Sequence, residues 1–236
     1  MEKSKIVTSL MISVLLLAGL ATPVKAANQV QIQNLPSYVN TNNFKLSCSA
    51  ITTQLVDGDP ATTTHAQFYV TKDGGSEVAF GPSINLSASP CQVQVTNLQI
   101  TEEKGYTFTV KLNSGESSST STIFDNSGPS IVSNYYKDGL SDGVRIHWTN
   151  PSDSDFSKVI IYRGETPDFS ADSTHEITTQ AGGAGVPMTY EDHSTPSMGK
   201  TYYYNIRAID KAGNSSGLVG DGGGTVTVSQ IGRAHV

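Results

Sequence analysis

Short segments in which apolar and polar residues alternate dominate this chain and leave few folds open to it. They occur at 44–48, 67–70, 91–95 and 106–112, and again at 144–148, 202–208 and 225–228, with a run of β-branched residues at 158–163. Alternation with a period of two places every second side chain on one face, which is typical of half-buried strands. Because no stretch has a helical period, the pattern predicts an all-β protein.

The composition agrees with a sheet protein that has many turns. The 236 residues include 22 Gly and 10 Pro but only 15% charged residues, which is low for a bundle of helices. The 10 Tyr and 7 Phe argue against a disordered chain. A net charge of −6 opposes a nucleic-acid partner, because binding phosphates needs a basic face.

A polar break at 125–129 divides the alternating segments into two runs. Each run has roughly the length, about 100 residues, and roughly the number of short strands, about seven, of one β-sandwich. We therefore predict two tandem antiparallel β-sandwiches, the first over residues 27–126 and the second over residues 127–230.

The two ends of the chain are predicted to lie outside these domains. Lys3 and Lys5, an apolar run over 6–20 and small residues up to Ala26 form a secretory signal pattern, so residues 1–26 are predicted to be a signal peptide. The apolar run is shorter than the roughly 20 residues that span a bilayer, so we expect no membrane insertion of the mature chain. Residues 231–236 resemble a translated sequencing adapter and are predicted to be a non-native tail.

The second half carries residues that suggest a family. They are Trp148 with its exit segment at 148–151, the alternating aromatic strand at 202–208 and the turn at 208–214. With these residues, the second half resembles a bacterial secreted fibronectin type III domain.

The first half is similar but diverges. Its strand at 106–112 matches the strand at 202–208, and Leu98 precedes it as in the family. It has no Trp, and Cys48 stands near the equivalent position. The resemblance leaves open a divergent fibronectin type III domain or an immunoglobulin-like domain.

Five residues are predicted to be structural. Trp148 is in phase with the apolar residues of its strand and is predicted to fill the core rather than to bind a sugar. The resemblance implies that Tyr106 and Tyr202 form tyrosine corners. Cys48 and Cys91, an even number of cysteines in an exported chain, are predicted to form a disulfide, with two buried thiols as the alternative.

Sites for chemistry are scarce in the sequence. The histidines are scattered, and no motif of a serine hydrolase or a phosphate-binding loop is present. The pairs Asp153 with Asp155 and Asp57 with Asp59 could start a calcium site, but the same residues stabilise turns, which we favour. We expect no catalytic residue, metal or cofactor. Glycosylation sequons begin at Asn85 and Asn214.

Tyr135 and Tyr136, near the start of the second domain, form either an exposed patch for a sugar or protein or a contact between the domains.

We expect a non-catalytic extracellular or cell-surface module for adhesion, binding or spacing, with an unknown extracellular protein or polysaccharide as its partner. The alternative is that these are the accessory N-terminal domains of a secreted enzyme, such as a glycan hydrolase, whose catalytic domain lies beyond residue 230.

Overall fold

The computed structural model describes residues 29–51, 65–86, 89–97, 99–101, 103–194, 200–221 and 226–227. Within these residues every regular element is a strand. The first half contains β1 (Gln29–Ile32), β2 (Tyr38–Val39), β3 (Phe44–Ile51), β4 (His65–Lys72), β5 (Val78–Asn85), β6 (Gln92–Val95), β7 (Gly105–Leu112) and β8 (Ser117–Phe124). The second contains β9 (Ser133–Gly139), β10 (Val144–Thr149), β11 (Phe156–Gly164), β12 (Glu176–Ala181), β13 (Pro187–Asp192), β14 (Thr201–Asp210), β15 (Val219–Gly220) and β16 (Val226–Thr227).

Each half forms two sheets with the same order of principal strands. In the first half, β1-β3-β6 form one sheet and β2-β8-β7-β4-β5 form the other. In the second half, β9-β10-β13 form one sheet and β12-β11-β14-β15 form the other, with β16 also paired to β14. The pairings are antiparallel except for that of β2 with β8, which is parallel. The chain therefore consists of two tandem β-sandwiches of the fibronectin type III or immunoglobulin-like kind, which confirms the predicted fold class.

The alternation of the sequence produces two separate cores. In β14 every second residue is buried, and in β10 the burial alternates in the same way. The side chains that point inwards pack between the sheets, where burying apolar surface stabilises the fold. The first core is built on Leu46, Phe68, Val95, Ile100, Tyr106, Phe108 and Val110, and the second on Val144, Ile146, Trp148, Val159, Ile161, Tyr204 and Ile206.

The sequence pattern did not identify seven strands, namely β1, β2, β5, β9, β12, β13 and β15. Most of their residues are exposed or half-buried, so they show little of the alternation that marks a core-facing strand. The predicted signal peptide at 1–26 and the predicted tail at 231–236 lie outside the described residues. No helix in the described part of the chain has the length and apolarity needed to cross a membrane.

Candidate functional site

The two cysteines are joined in a disulfide, with 5.2 Å between their Cα atoms. Cys48 lies in β3, and Cys91 immediately precedes β6, the neighbouring strand of the same sheet. The Cys48 N–H also donates a hydrogen bond to the Cys91 carbonyl at 2.8 Å. The disulfide of antibody domains joins the two sheets instead. The crosslink in this chain therefore differs from that of an immunoglobulin domain.

Trp148 lies in the core of the second sandwich and is 2% exposed. Its indole Nε1–H donates to Asn150 Oδ1 at 2.7 Å, and Asn150 Nδ2 donates to the Gly183 carbonyl at 2.9 Å. The only polar atom of the indole is thus satisfied inside the protein. This position offers no indole face to a sugar.

The two tyrosines at equivalent places in β7 and β14 are both buried. The Tyr106 hydroxyl accepts a hydrogen bond from the Thr101 N–H at 3.2 Å, which is the backbone contact expected of a tyrosine corner. The Tyr202 hydroxyl has no hydrogen-bond partner among the described residues. Residues 195–199, which precede it, are outside them.

Tyr135 and Tyr136 do not form one exposed patch. Tyr135 is half-buried against the second core, and its hydroxyl donates to Asp221 Oδ1 at 3.3 Å. Burial raises the pKa of Tyr135 well above its usual range, and the negative charge of Asp221 adds to this. Tyr136 is 54% exposed. Of the two alternatives for this pair, the exposed patch can include Tyr136, whereas Tyr135 faces inwards, because neighbouring residues of a strand point to opposite faces.

The Tyr136 ring is stacked on His147, with 4.2 Å between ring centroids and an interplanar angle of 5°. His147 Nε2 lies 2.9 Å from Asp138 Oδ2, so a polar contact as well as the ring stacking holds the imidazole against β9. The result is a fixed aromatic surface on the outer face of the β9-β10-β13 sheet. Such a surface is suited to stacking against a sugar ring or another side chain.

Two buried ion pairs lie in the second sandwich. Asp192 is fully buried and accepts hydrogen bonds from Arg163 at 2.7 Å, from the Tyr204 hydroxyl at 2.8 Å and from Ser194. Burial opposes ionisation of Asp192, but these hydrogen bonds and the Arg163 charge keep its pKa below the usual value. Lys137 and Asp221 form the second pair, with side chains 4% and 5% exposed. Both pairs have the partners that buried charges require.

The junction between the two sandwiches is organised by the turn after β14. Asn214 Nδ2 donates to the Asp125 carbonyl at 2.9 Å and to the Ser127 carbonyl at 3.2 Å, and both carbonyls belong to the linker. Gly128 packs so closely on this turn that an added Cβ would lie 2.3 Å from the Ser215 carbonyl oxygen. The linker is therefore hydrogen-bonded to the second sandwich at Asp125 and Ser127 and packed against it at Gly128.

Lys211 extends the junction to the first sandwich. Its ammonium donates to the Ser154 carbonyl at 3.1 Å and lies 5.7 Å from the centroid of the Tyr38 ring. Tyr38 belongs to β2, which pairs with the last strand of the first sandwich. A cation held over an aromatic face adds a modest attraction across the junction.

Three carboxylates meet beside these contacts. One oxygen each of Asp125, Asp155 and Asp210 lies within 4.8 Å of the other two. Asp125 follows β8, Asp155 lies in the loop before β11, and Asp210 ends β14. Asp125 and Asp210 are 8% and 3% exposed. The linker, through Asp125, and the second sandwich, through Asp155 and Asp210, thus contribute to one acidic cluster, which we call the junction cluster.

The electrostatics of the junction cluster are unbalanced. Asp125 Oδ1 accepts from the Ser127 N–H at 3.1 Å, whereas the buried Oδ2 has no hydrogen-bond donor. Burial raises the pKa of Asp125, and the Ser127 N–H opposes this shift. A side-chain hydrogen bond with Asp155 and the negative charges of Asp210 and Asp155 reinforce it.

The sequence pattern indicates only one member of this cluster as a possible cation ligand. Asp155 was considered with Asp153 as a calcium ligand, but Asp153 instead accepts hydrogen bonds from the Ser130 N–H and hydroxyl at 3.3 and 3.2 Å. Asp57 and Asp59 are outside the described residues. The sequence pattern places Asp125 in a polar break and Asp210 in a turn. The burial of Asp125 and Asp210 would have indicated the cluster. That burial results from packing at the junction, which no local spacing of residues reveals.

Similarity to known proteins is found among solved structures. No protein-family model matches the chain, and neither does any curated protein. Among solved structures, the chicken CNTN1 FN1–FN3 domains are 10% identical, with coverage of 87% of this chain and 69% of that one and a TM-score of 0.45. The fibronectin(III)-like modules of Clostridium thermocellum CbhA are 12% identical, with coverage of 88% and 99% and a TM-score of 0.48.

Proposed function

We propose that the chain is a non-catalytic extracellular spacer whose two sandwiches are held in a fixed relation by the junction. The observation that carries this proposal is the pair of hydrogen bonds from Asn214 to the linker carbonyls of Asp125 and Ser127. A disulfide supports an oxidising compartment, which agrees with secretion or display at the cell surface.

The physical argument concerns the freedom of the linker. Each residue of an unbonded linker keeps its backbone torsions, so the two domains reorient almost independently. Here the carbonyls of Asp125 and Ser127 are bonded to the second sandwich, and Gly128 is packed against the Ser215 backbone. The linker therefore has little conformational freedom. Such rigidity is needed in a spacer and is not needed in a flexible tether.

The proposal predicts a narrow distribution of distances between the two sandwiches. We would label Val78→Cys in the first sandwich and Asp168→Cys in the second, both at exposed positions, and measure the distribution by double electron–electron resonance. The intact disulfide leaves only the introduced thiols to react.

Asn214→Ala removes both linker hydrogen bonds, so we expect the distribution to broaden. Asn34→Ala is the matched control, because Asn34 is an exposed asparagine of the first sandwich, and it should leave the distribution unchanged. A distribution that is already broad in the unmodified junction, or one that Asn214→Ala does not alter, would reject the spacer proposal.

A second candidate function is binding of an extracellular polysaccharide or protein at the surface formed by Tyr136 and His147. It is favoured by the exposed tyrosine ring and its parallel stacking on the imidazole. Affinity electrophoresis in gels that contain a soluble β-glucan or xylan tests the glycan version. A retardation that Tyr136→Ala abolishes and Val78→Ala retains would support it, whereas equal mobility with and without glycan would not.

The spacer also fits a chain that carries a catalytic domain beyond residue 230. In that arrangement the two sandwiches would hold the enzyme away from its point of attachment. Sequencing the gene past codon 230 distinguishes this version from a small secreted module.

A further inference from the structure

The junction cluster brings together oxygen atoms that are far apart in the sequence. Asp125, Asp155 and Asp210 each contribute a carboxylate oxygen, and the three oxygens lie within 4.8 Å of one another. Two calcium ligands on opposite sides of the ion are also about 4.8 Å apart, because each bond is about 2.4 Å long. One ion therefore fits between the three oxygens without a large movement of the backbone.

The charges of this cluster are not balanced by the residues around it. Among the described residues, no lysine, arginine or histidine forms an ion pair with any of the three carboxylates, and the Lys211 ammonium is directed to the Ser154 carbonyl and the Tyr38 ring. Asn214 donates to both carboxylate oxygens of Asp210, whereas at Asp125 it donates to the backbone carbonyl and not to the carboxylate. Carboxylates that are buried together without a counter-charge are costly.

Asp125 supplies an independent indication of a ligand. It is 8% exposed, and its Oδ2 atom is buried without a hydrogen-bond donor. Buried polar atoms are nearly always paired, so an unpaired carboxylate oxygen in a residue of this cluster points to an unseen partner. A cation satisfies that atom and neutralises the cluster at the same time.

The chemistry of the ligands selects the ion. All three side chains offer hard oxygen atoms, and calcium accepts carboxylates, backbone carbonyls and water in flexible numbers at these distances. Zinc and copper favour histidine and cysteine, and neither residue type belongs to the cluster.

We propose that Asp125, Asp155 and Asp210 bind one calcium ion at the junction of the two sandwiches. The ligands come from the linker after β8, from the loop before β11 and from the end of β14, so the ion ties the linker to the second sandwich. The effect on rigidity rests on the proposed spacer function, whereas the binding itself does not.

Isothermal titration calorimetry of the chelator-treated chain with calcium chloride measures the binding directly. We expect one site per chain with a dissociation constant of about 1 mM or tighter, the range of extracellular calcium modules. Asp155→Asn should weaken binding on the order of tenfold or more, because it removes one charged ligand from a half-buried position that tolerates substitution.

The matched control is Asp153→Asn, in the same loop and with the same loss of charge, because Asp153 bonds Ser130 rather than the cluster. Its affinity should equal that of the unsubstituted chain. No calcium-dependent heat up to about 10 mM, or an equal loss of affinity in both variants, overturns the proposal.

The same samples separate this inference from the spacer proposal. If calcium binds but the distance distribution stays broad, the site exists and the spacer proposal fails. If the distribution is narrow in the presence of a chelator and no calcium binds, the spacer proposal stands and the calcium site is refuted.

Discussion

Reduction of the Cys48–Cys91 disulfide should weaken the first sandwich and leave the second unchanged. The crosslink closes a loop of 43 residues. For a loop of this length the chain-entropy relation gives a loss of about 13 cal/mol/K from the unfolded ensemble, which is about 4 kcal/mol at 25 °C. A domain of this size has a total stability of about 5–15 kcal/mol, so the loss is a large fraction of it.

The chain contains its own probe for separating the two sandwiches. Trp148 is the only tryptophan, and it lies in the second core. Its fluorescence follows unfolding of the second sandwich, while the NMR cross-peaks of the Leu46 and Val110 amides follow the first. Both are recorded during urea denaturation with and without reductant.

We expect the first-sandwich midpoint to fall by the urea concentration that corresponds to about 4 kcal/mol, and the Trp148 midpoint to stay within error. Cys48→Ala with Cys91→Ala should show the same loss plus a smaller packing term, because both side chains pack against the first core. A first-sandwich shift below about 1 kcal/mol would refute the entropy argument. An equal shift of both probes would refute the independence of the two cores.

Two further predictions concern the second sandwich. Trp148→Ala should cost about 3–5 kcal/mol, because it empties a large buried site and leaves Asn150 Oδ1 without its donor; urea denaturation followed by circular dichroism measures this, and a transition at the original midpoint would contradict burial of the indole. The pKa of Asp192 is lower in the folded chain than in the unfolded one. Its ionised form therefore contributes stability above the unfolded pKa of about 3.9, and this contribution is lost as the pH falls through the folded pKa. Asp192→Asn should remove that acid-dependent part, so its urea midpoint, measured from Trp148 fluorescence between about pH 2 and pH 7, should vary less with pH than the original. Parallel pH profiles would show that Asp192 does not contribute in this way.

The core strands could be predicted from the sequence, because the burial of their side chains alternates with the same period as the polarity of their residues. The matching strands at 106–112 and 202–208 became β7 and β14, the central strands of equivalent sheets. The disulfide partners were also predictable, because the chain has only two cysteines. The position of the disulfide within one sheet could not be predicted, because cysteine spacing does not reveal which strands are neighbours.

The structure of the junction could not be predicted from the sequence. Asp125 is a polar residue in a polar segment, and only the packing of the linker on the turn after β14 buries it. Asp155 and Asp210 are separated from it by tens of residues, and no local motif links the three. The exposed edge strands were missed for a related reason, because their side chains contact few core residues and so keep little of the apolar pattern.

The contacts of Asn214 also determine how this protein should be produced. Asn214 begins an Asn-Ser-Ser sequon, and eukaryotic secretory pathways attach oligosaccharide to the amide nitrogen of such an asparagine. That nitrogen has two hydrogens, and it lies within hydrogen-bond distance of the Asp125 and Ser127 carbonyls and of Asp210 Oδ2. A glycan would replace one hydrogen and place a bulky chain in the space that the linker occupies. Material from yeast or mammalian cells would therefore have an altered junction, and a host without N-glycosylation preserves it.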